Sequence, residues 1–139
     1  YLEINDLTKN DDDKIIYKLK LGTTYSELLK NIDTSGKITI KNSSGKEVSV
    51  DSVIKTSDII SIKLSSKVVE YKISVLGDVA SDGAINIGDI AKLYSYLKKK
   101  IQIDKESELS GDVVLDGNIN IGDVAKLYSY RKKKIPNLN

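Results

Sequence analysis

The sequence GDVASDGAINIGDIAKLYSY at residues 77–96 recurs as GDVVLDGNINIGDVAKLYSY at residues 111–130, and each copy soon reaches a run of three lysines. Through those lysines the copies differ only at Ala80/Val114, Ser81/Leu115, Ala84/Asn118, Ile90/Val124 and Leu97/Arg131. A duplication this close indicates two equivalent structural units related by a pseudo-twofold axis. We therefore expect the rest of the chain to be arranged around this pair.

Each copy opens with carboxylates, a glycine and an asparagine at the spacing of a calcium-binding loop. An EF-hand loop supplies oxygen ligands from positions one, three, five, seven, nine and twelve, with glycine at position six. The ligands predicted on this template are Asp78, Asp82, Ala84, Asn86 and Asp89, and in the second copy Asp112, Asp116, Asn118, Asn120 and Asp123. Position seven would contribute its backbone carbonyl, and position nine would act directly or through a water. The competing interpretation is a pair of Asx turns that cap two helices, but the repeated spacing favours calcium.

The third loop position departs from the template. It is Ala80 in one copy and Val114 in the other, and neither side chain carries an oxygen. A water can fill that coordination position, but one ligand and part of the preorganisation are lost. We expect calcium to bind both loops, less tightly than at a complete site.

The pattern GDVxxDGxINIGD[IV]AxL, present twice and followed by helical sequence, resembles a dockerin. The resemblance covers about Val75 to Pro136 and implies two calcium ions, two calcium-loop–helix units in antiparallel arrangement, and a face that binds a cohesin. It also implies which residues meet that partner. These are Ile87, Gly88, Tyr94, Ser95 and Lys99, with counterparts Ile121, Gly122, Tyr128, Ser129 and Lys133. Leu97 against Arg131 is the main sequence difference near this surface. Because the set recurs, we expect a cohesin to accept either orientation of the module.

Composition excludes several classes of function. The chain has 139 residues, a formal net charge of +2, and neither histidine nor cysteine. Balanced charge gives no field that attracts nucleic acid or membranes, and no apolar run reaches membrane-spanning length. Without histidine the chain lacks the commonest general base, the Ser-His and Cys-His pairs and most zinc sites. An enzyme built only from Asp, Glu, Lys and Tyr would need none of these groups, but nothing in the sequence assembles such a site, and we expect no enzyme. We also expect no nucleic-acid or membrane partner, and a monomer in the absence of a cohesin.

The first half of the chain predicts a small sheet with one helix. Lys14–Leu21 alternates, with Ile15, Tyr17, Leu19 and Leu21 on one face, as in a half-buried strand. The box Thr24-Tyr-Ser-Glu27 predicts a helix start, with Tyr25, Leu28, Leu29 and Ile32 as its apolar stripe. The other predicted strands are Tyr1–Ile4, Lys37–Asn42, Lys46–Val50, Asp58–Leu64 and Val68–Val75, and a short helix is predicted at 104–109.

These patterns predict an α+β fold with two units. Residues 1–74 form a small β-rich accessory domain, β-grasp-like or X-module-like, and residues 75–139 form an α-helical dockerin. The junction, YKISVLG at 71–77, runs from strand into loop without a Pro/Ser-rich linker. Flexible domain boundaries usually have such a linker, so we expect the two units to pack together.

Two functions of different classes fit the sequence. The favoured one is a secreted or extracellular module that binds a cohesin and anchors its parent protein in a cellulosome-like bacterial surface complex. The alternative is a calcium-stiffened stalk or adhesin module without a cohesin partner. The repeated Ile-Gly pairs favour interaction, because apolar residues that recur on a surface are typical of a contact site.

Overall fold

The computed structural model describes residues 2–131, and these residues form a mixed α+β fold. The strands are β1 (Leu2–Ile4), β2 (Thr8–Asn10), β3 (Ile15–Leu19), β4 (Ile32–Thr34), β5 (Lys37–Lys41), β6 (Ile59–Lys63) and β7 (Val68–Val75). The helices are α1 (Tyr25–Leu28), α2 (Ile87–Leu97), α3 (Lys105–Gly111) and α4 (Ile121–Arg131), and a 3-10 turn, Leu29–Asn31, follows α1. The strands all precede residue 76, as the sequence predicts.

The sheet has a parallel pair at its centre. Its strand order is β2-β3-β7-β6-β5, in which β3 and β7 run parallel and the other neighbours are antiparallel. Strands β1 and β4 form a separate antiparallel pair. The core under the sheet is aliphatic apart from Tyr25 and Tyr71, and it includes the fully buried Ile16, Ile60 and Ile73. Chain connectivity therefore places the last strand, β7, in the middle of the sheet, directly before the first loop.

The alternation predicted for Lys14–Leu21 is wrong in detail. Ile15 and Ile16 are both buried, whereas Tyr17 is only half-buried. The register between β3 and β7 shifts between Ile16 and Leu19, and Lys18 there has a left-handed φ of 60°. A bulge of this kind breaks the period of two on which the prediction depends.

Two other predictions for this half need correction. The capping box on Thr24 is present, but α1 ends at Leu28, and Ile32 lies buried in β4 rather than on a helix. The segment 46–50 does not form a strand; Glu47 makes one isolated bridge, and Val50 is 47% exposed. The Val50 carbonyl accepts from the Ser26 N–H of α1 at 2.8 Å, so the end of this segment bonds to α1 instead of extending the ladder with β5.

The second half is organised by α2 and α4. Leu93 and Leu127, at equivalent positions of the two copies, are both fully buried in one cluster with Leu76, Val79 and Val113. Between the copies, α3 confirms the predicted connecting helix and packs on β7 and β3 of the sheet. The linking segment thus lies against both halves.

Several hydrogen bonds join the two halves. The Ser74 hydroxyl donates to the Glu106 carbonyl at 2.6 Å, and the Gly77 N–H donates to the Ser110 carbonyl at 2.8 Å. Glu106 is buried, and its carboxylate accepts from the Ser57 hydroxyl at 3.3 Å. Within residues 2–131, no helix has the length and apolar content to cross a membrane.

Candidate metal centre

The first loop is built by the carboxylates of its first and twelfth positions. Asp78 Oδ1 accepts from the Asp82 N–H at 2.9 Å, and Asp78 Oδ2 accepts from the Gly83 N–H at 3.1 Å. Asp89 Oδ1 accepts from the Ala80 N–H and Asp89 Oδ2 from the Asn86 N–H, each at 2.8 Å. These bonds wrap the backbone around both carboxylates, which are fully buried.

The second loop repeats these bonds atom for atom. Asp112 accepts from the Asp116 N–H at 3.3 Å and the Gly117 N–H at 2.9 Å. Asp123 accepts from the Val114 N–H at 3.0 Å and from the N–H of the loop asparagine at 2.8 Å. The same sequence therefore folds locally in the same way twice.

The third position contributes its backbone instead of a side chain. The N–H groups of Ala80 and Val114 hold the twelfth-position carboxylates, a bond that any residue except proline can make. The next residue, Ser81 or Leu115, takes a left-handed φ of 62° or 63°. This turn brings the fifth-position aspartate back toward the first.

In each copy three carboxylates bring oxygens together. One oxygen each from Asp78, Asp82 and Asp89 lie within 4.8 Å of one another, and the same is true of Asp112, Asp116 and Asp123. An all-oxygen, carboxylate-rich donor set suits a hard cation such as calcium. The three predicted carboxylate ligands of each copy are thus placed together, so the residues present fit calcium at either loop.

Burial and mutual repulsion change the acidity of the first-loop carboxylates. Burial, reinforced by the charges of Asp82 and Asp78, raises the pKa of Asp89 to about 6 against the opposing effect of two backbone N–H donors. Burial also raises the pKa of Asp78. For Asp82, partial burial acts upward, but hydrogen bonds led by that from Asn86 lower its pKa. A cation between these groups would remove the repulsion that opposes their ionisation.

In the second loop, burial raises the pKa of Asp123, and the backbone N–H of Asn118 lowers that of Asp116.

Both loops end in a capped helix with an apolar residue at its first turn. In the first copy, the Asn86 side chain accepts from the Gly88 N–H at 2.9 Å and caps α2. Asn120 makes the same bond to Gly122 at 2.8 Å. The residue between, Ile87 or Ile121, is 59% or 65% exposed. The Ile-Gly pairs therefore lie at the surface in both copies.

Helical spacing alone does not show whether Tyr94 and Tyr128 lie in the core or at the surface. Tyr94 and Tyr128 share helical spacing with core residues, yet each is 46% exposed, and the Lys98 ammonium lies 5.3 Å from the Tyr94 ring centroid. Tyr94, Leu97 and Lys98 line a shallow groove of about 400 Å³ together with Ile119, Asn120 and Ile121. The predicted binding residue Tyr94 on α2 thus borders the same groove as Ile121, the predicted binding residue at the start of α4.

The other predicted binding residues lie at or near the surface. Ser95 and Ser129 are half-buried, and Lys99 is exposed. Lys99 has a left-handed φ of 60° where α2 ends, and its N–H donates to the Tyr96 carbonyl at 3.0 Å. Lys133 lies outside the described residues.

Three contacts to the first loop were not predicted from the sequence, because the residues that make them belong to no motif. These residues of the sheet half are Lys55, which lies beside Gly83, Thr56, which bonds to Asp78, and Ser57, which lies beside Ser81. The other omission is Val114, 43% exposed beside Gly122, whereas Ala80 in the first copy is half-buried. The two surfaces therefore differ at more than Leu97 and Arg131.

Part of the chain matches a known protein family. Residues 76–130 match the family model of the dockerin type I domain. Dockerin domains in general are non-catalytic, calcium-dependent modules that bind cohesins, typically in extracellular cellulosome components. The match confirms the dockerin resemblance for this segment. No curated protein matches the chain.

Proposed function

We propose that this chain is a cohesin-binding module that anchors its parent protein outside the cell, in a cellulosome-like or cell-surface assembly. Residues 75–139 act as the dockerin and hold two calcium ions, and residues 1–74 act as an X-module-like accessory domain. The chain itself carries no catalytic function in this proposal. The observation that carries it is the exact recurrence, in two loops, of a carboxylate cluster followed by an exposed Ile-Gly pair.

Calcium binding in the loops would hold in place the surface that binds a cohesin. In the first copy, Asp78, Asp82 and Asp89 would hold the ion through carboxylates, Ala84 through its carbonyl, and Asn86 directly or through a water. Asp112, Asp116, Asn118, Asn120 and Asp123 would do the same in the second copy. Asp89 and Asp123 also hold the first turns of α2 and α4. A calcium ion that neutralises each carboxylate cluster would therefore fix the start of the following helix, where Ile87 or Ile121 lies.

The proposed partner surface is small and apolar at its centre. Its residues are Ile87, Gly88, Tyr94, Ser95 and Lys99, and the equivalents Ile121, Gly122, Tyr128, Ser129 and Lys133. An exposed isoleucine beside a glycine offers an apolar contact that a facing backbone can approach closely. Lysines and tyrosine hydroxyls at the margin supply polar contacts, as at the rim of most protein interfaces.

The division into two units is part of the proposal. Two separate apolar clusters support a boundary near residue 75, since the sheet cluster ends at Val75 and the helical cluster begins at Leu76. The polar contacts through α3 favour units that move together. An accessory domain of this kind would set the orientation of the dockerin relative to the parent protein.

A titration against a panel of cohesins, in calcium and in chelator, tests the proposal. Calcium-dependent binding of at least one cohesin, lost on chelation and restored by added calcium, is the expected result. A protein that binds calcium and is stabilised by it, yet binds no cohesin of any type in that panel, would support the stalk or adhesin alternative.

A further inference from the structure

The segment 54–57 lies between the sheet and the first loop and is fixed to the sheet half at both ends. Ile54 is fully buried in the sheet core, and its N–H donates to the Thr23 carbonyl at 2.8 Å. The Ser57 N–H donates to the Ile73 carbonyl at 2.8 Å. Between them, the Thr56 hydroxyl accepts from the Val75 N–H at 3.0 Å. The backbone of this segment therefore has little freedom of its own.

Three successive residues of segment 54–57 meet the first loop. The Thr56 N–H donates to Asp78 Oδ2 at 2.9 Å, in a buried position. The Lys55 stem lies so close to Gly83 that a Cβ added there would meet Lys55 Cγ at 3.1 Å. The Ser81 hydroxyl lies 3.3 Å from the Ser57 hydroxyl. The first carboxylate, the turn glycine and the fourth loop residue are thus all contacted from the sheet half.

The second loop has no equivalent support within residues 2–131. A Cβ added at Gly117 would meet nothing within 4 Å. Asp112 is half-buried rather than fully buried, and its carboxylate accepts loop N–H bonds from Asp116 and Gly117 alone among the described residues. Leu115, which replaces Ser81, is 42% exposed. Two loops of nearly the same sequence therefore differ in what surrounds them.

We propose that Thr56 is a positioning residue for the first calcium loop, so that the sheet half completes one of the two sites and leaves the other to itself. This inference rests on the proposed calcium function. A hydrogen bond from outside the ligand set fixes the orientation of a ligating carboxylate, and its loss typically weakens metal binding about 10- to 100-fold. Because Thr56 belongs to the sheet half, calcium at the first loop and attachment of the sheet half are coupled, and the coupling is reciprocal.

Single-site proteins separate the loops. Asp123→Ala leaves the first loop alone, and Asp89→Ala leaves the second. Calcium is titrated calorimetrically into each, with and without Thr56→Pro, which removes the N–H donor. We expect Thr56→Pro to weaken binding at least tenfold in the Asp123→Ala protein and to leave the Asp89→Ala protein unchanged. Equal losses in both backgrounds, or no loss in either, would overturn the inference.

Thr56→Val is the matched control, since it removes the hydroxyl that holds Val75 but keeps the N–H. We expect it to cost clearly less calcium affinity in the Asp123→Ala protein than Thr56→Pro does. Losses of the same size in the two variants would show that the N–H itself has no special part, and would overturn the assignment.

Amide exchange provides a measurement that needs no change at Thr56. Calcium should slow exchange of the Thr56 amide about tenfold or more in the Asp123→Ala protein, by the coupling argued above, and leave it unchanged in the Asp89→Ala protein. The same rate with and without calcium in the Asp123→Ala protein would overturn the inference. Failure of both single-site proteins to bind calcium would instead overturn the proposed function.

Discussion

The first and second copies of the repeat have the same internal hydrogen bonds but different surroundings. Asp78 is buried under the sheet half, whereas Asp112 is half-buried, and the glycine of the first loop packs on Lys55 while that of the second faces open space. The partner-facing residues show the opposite relation. Tyr94 and Tyr128 are equally exposed, and Ile87 and Ile121 nearly so. The difference between the copies is therefore concentrated at the loops, and the proposed binding surface stays close to symmetric.

The largest effect we expect concerns that symmetry. Changing Ile87 and Gly88 to aspartate, or Ile121 and Gly122 to aspartate, should each leave cohesin binding through the other copy almost intact. The fourfold mutant should lose more than a hundredfold in affinity, because the few residues at the centre of an interface that carry most of its binding energy cost about 2 kcal/mol or more each when changed. Titration of all three variants against a cognate cohesin is the measurement. Loss of binding in either single-copy variant would show that the interface uses one face or both at once.

The two orientations in which a cohesin binds should differ slightly in affinity. Leu97 against Arg131 at the rim should bias them by about 1 kcal/mol or less. The exposed Val114 adds apolar surface beside Gly122 that the first copy lacks. We therefore expect the variant that retains the second copy to bind slightly more tightly than the one that retains the first.

Calcium should stabilise the fold through both loops. At about a hundred times its dissociation constant, it should raise the free energy of unfolding by roughly 2.7 kcal/mol per site. Asp89→Ala and Asp123→Ala should each remove most of one site's share, and only Asp89→Ala should also weaken the sheet's attachment. Urea unfolding in calcium and in chelator measures both effects. Identical curves for the unmodified protein in the two conditions would rule out calcium binding.

The buried first-loop carboxylate predicts a dependence on pH. In calcium-free protein, the pKa of Asp89 is about 6 folded against 3.8 as the reference, so the folded state binds more protons between these values. Its contribution to the free energy of unfolding therefore falls as the pH rises from about 4 to 6. Calcium binds the ionised form, so calcium affinity at the first loop should instead fall as the pH drops below about 6.

Other loop carboxylates bear on this titration. The raised pKa values of Asp78 and Asp123 act in the same direction as that of Asp89, and the lowered values of Asp82 and Asp116 oppose it. Unfolding of calcium-free Asp89→Asn between pH 4 and 6 isolates the Asp89 share, with Asp123→Asn as the matched control. An unchanged slope in Asp89→Asn would contradict the assignment.

The smallest effect concerns the residue at the fourth position of each loop. Leu115 and Ser81 both have left-handed φ angles, which cost a residue with a Cβ roughly 1–2 kcal/mol. Glycine relieves this strain, but its greater conformational freedom in the unfolded chain lowers the free energy of unfolding by about 0.4–1 kcal/mol. We expect Leu115→Gly to raise the free energy of unfolding by about 1 kcal/mol or less, as the difference of these terms. Ser81→Gly should gain less, because it loses the Ser57 contact. Equal gains in thermal unfolding would show that this contact does not stabilise the protein.

The sequence by itself determined the parts of this protein that depend on near neighbours. The loop turns, the asparagine caps of α2 and α4 and the capping box on Thr24 all follow from residues a few positions apart. Hydrogen bonds within a loop and the period of a helix need no information from elsewhere in the chain. For this reason the duplicated motif was also enough to predict which carboxylates cluster in each loop.

Only the tertiary structure decided what lies against each copy. The bulge in β3 arises from its pairing with β7, which is more than fifty residues away in sequence. The exposure of Tyr94 depends on which side of α2 faces α4, and helical spacing alone left that open. The bond from Thr56 to Asp78 joins a featureless segment to a motif residue through a backbone N–H, which every residue except proline possesses. No side-chain pattern encodes such a contact, because the fold supplies it by placing two backbones together.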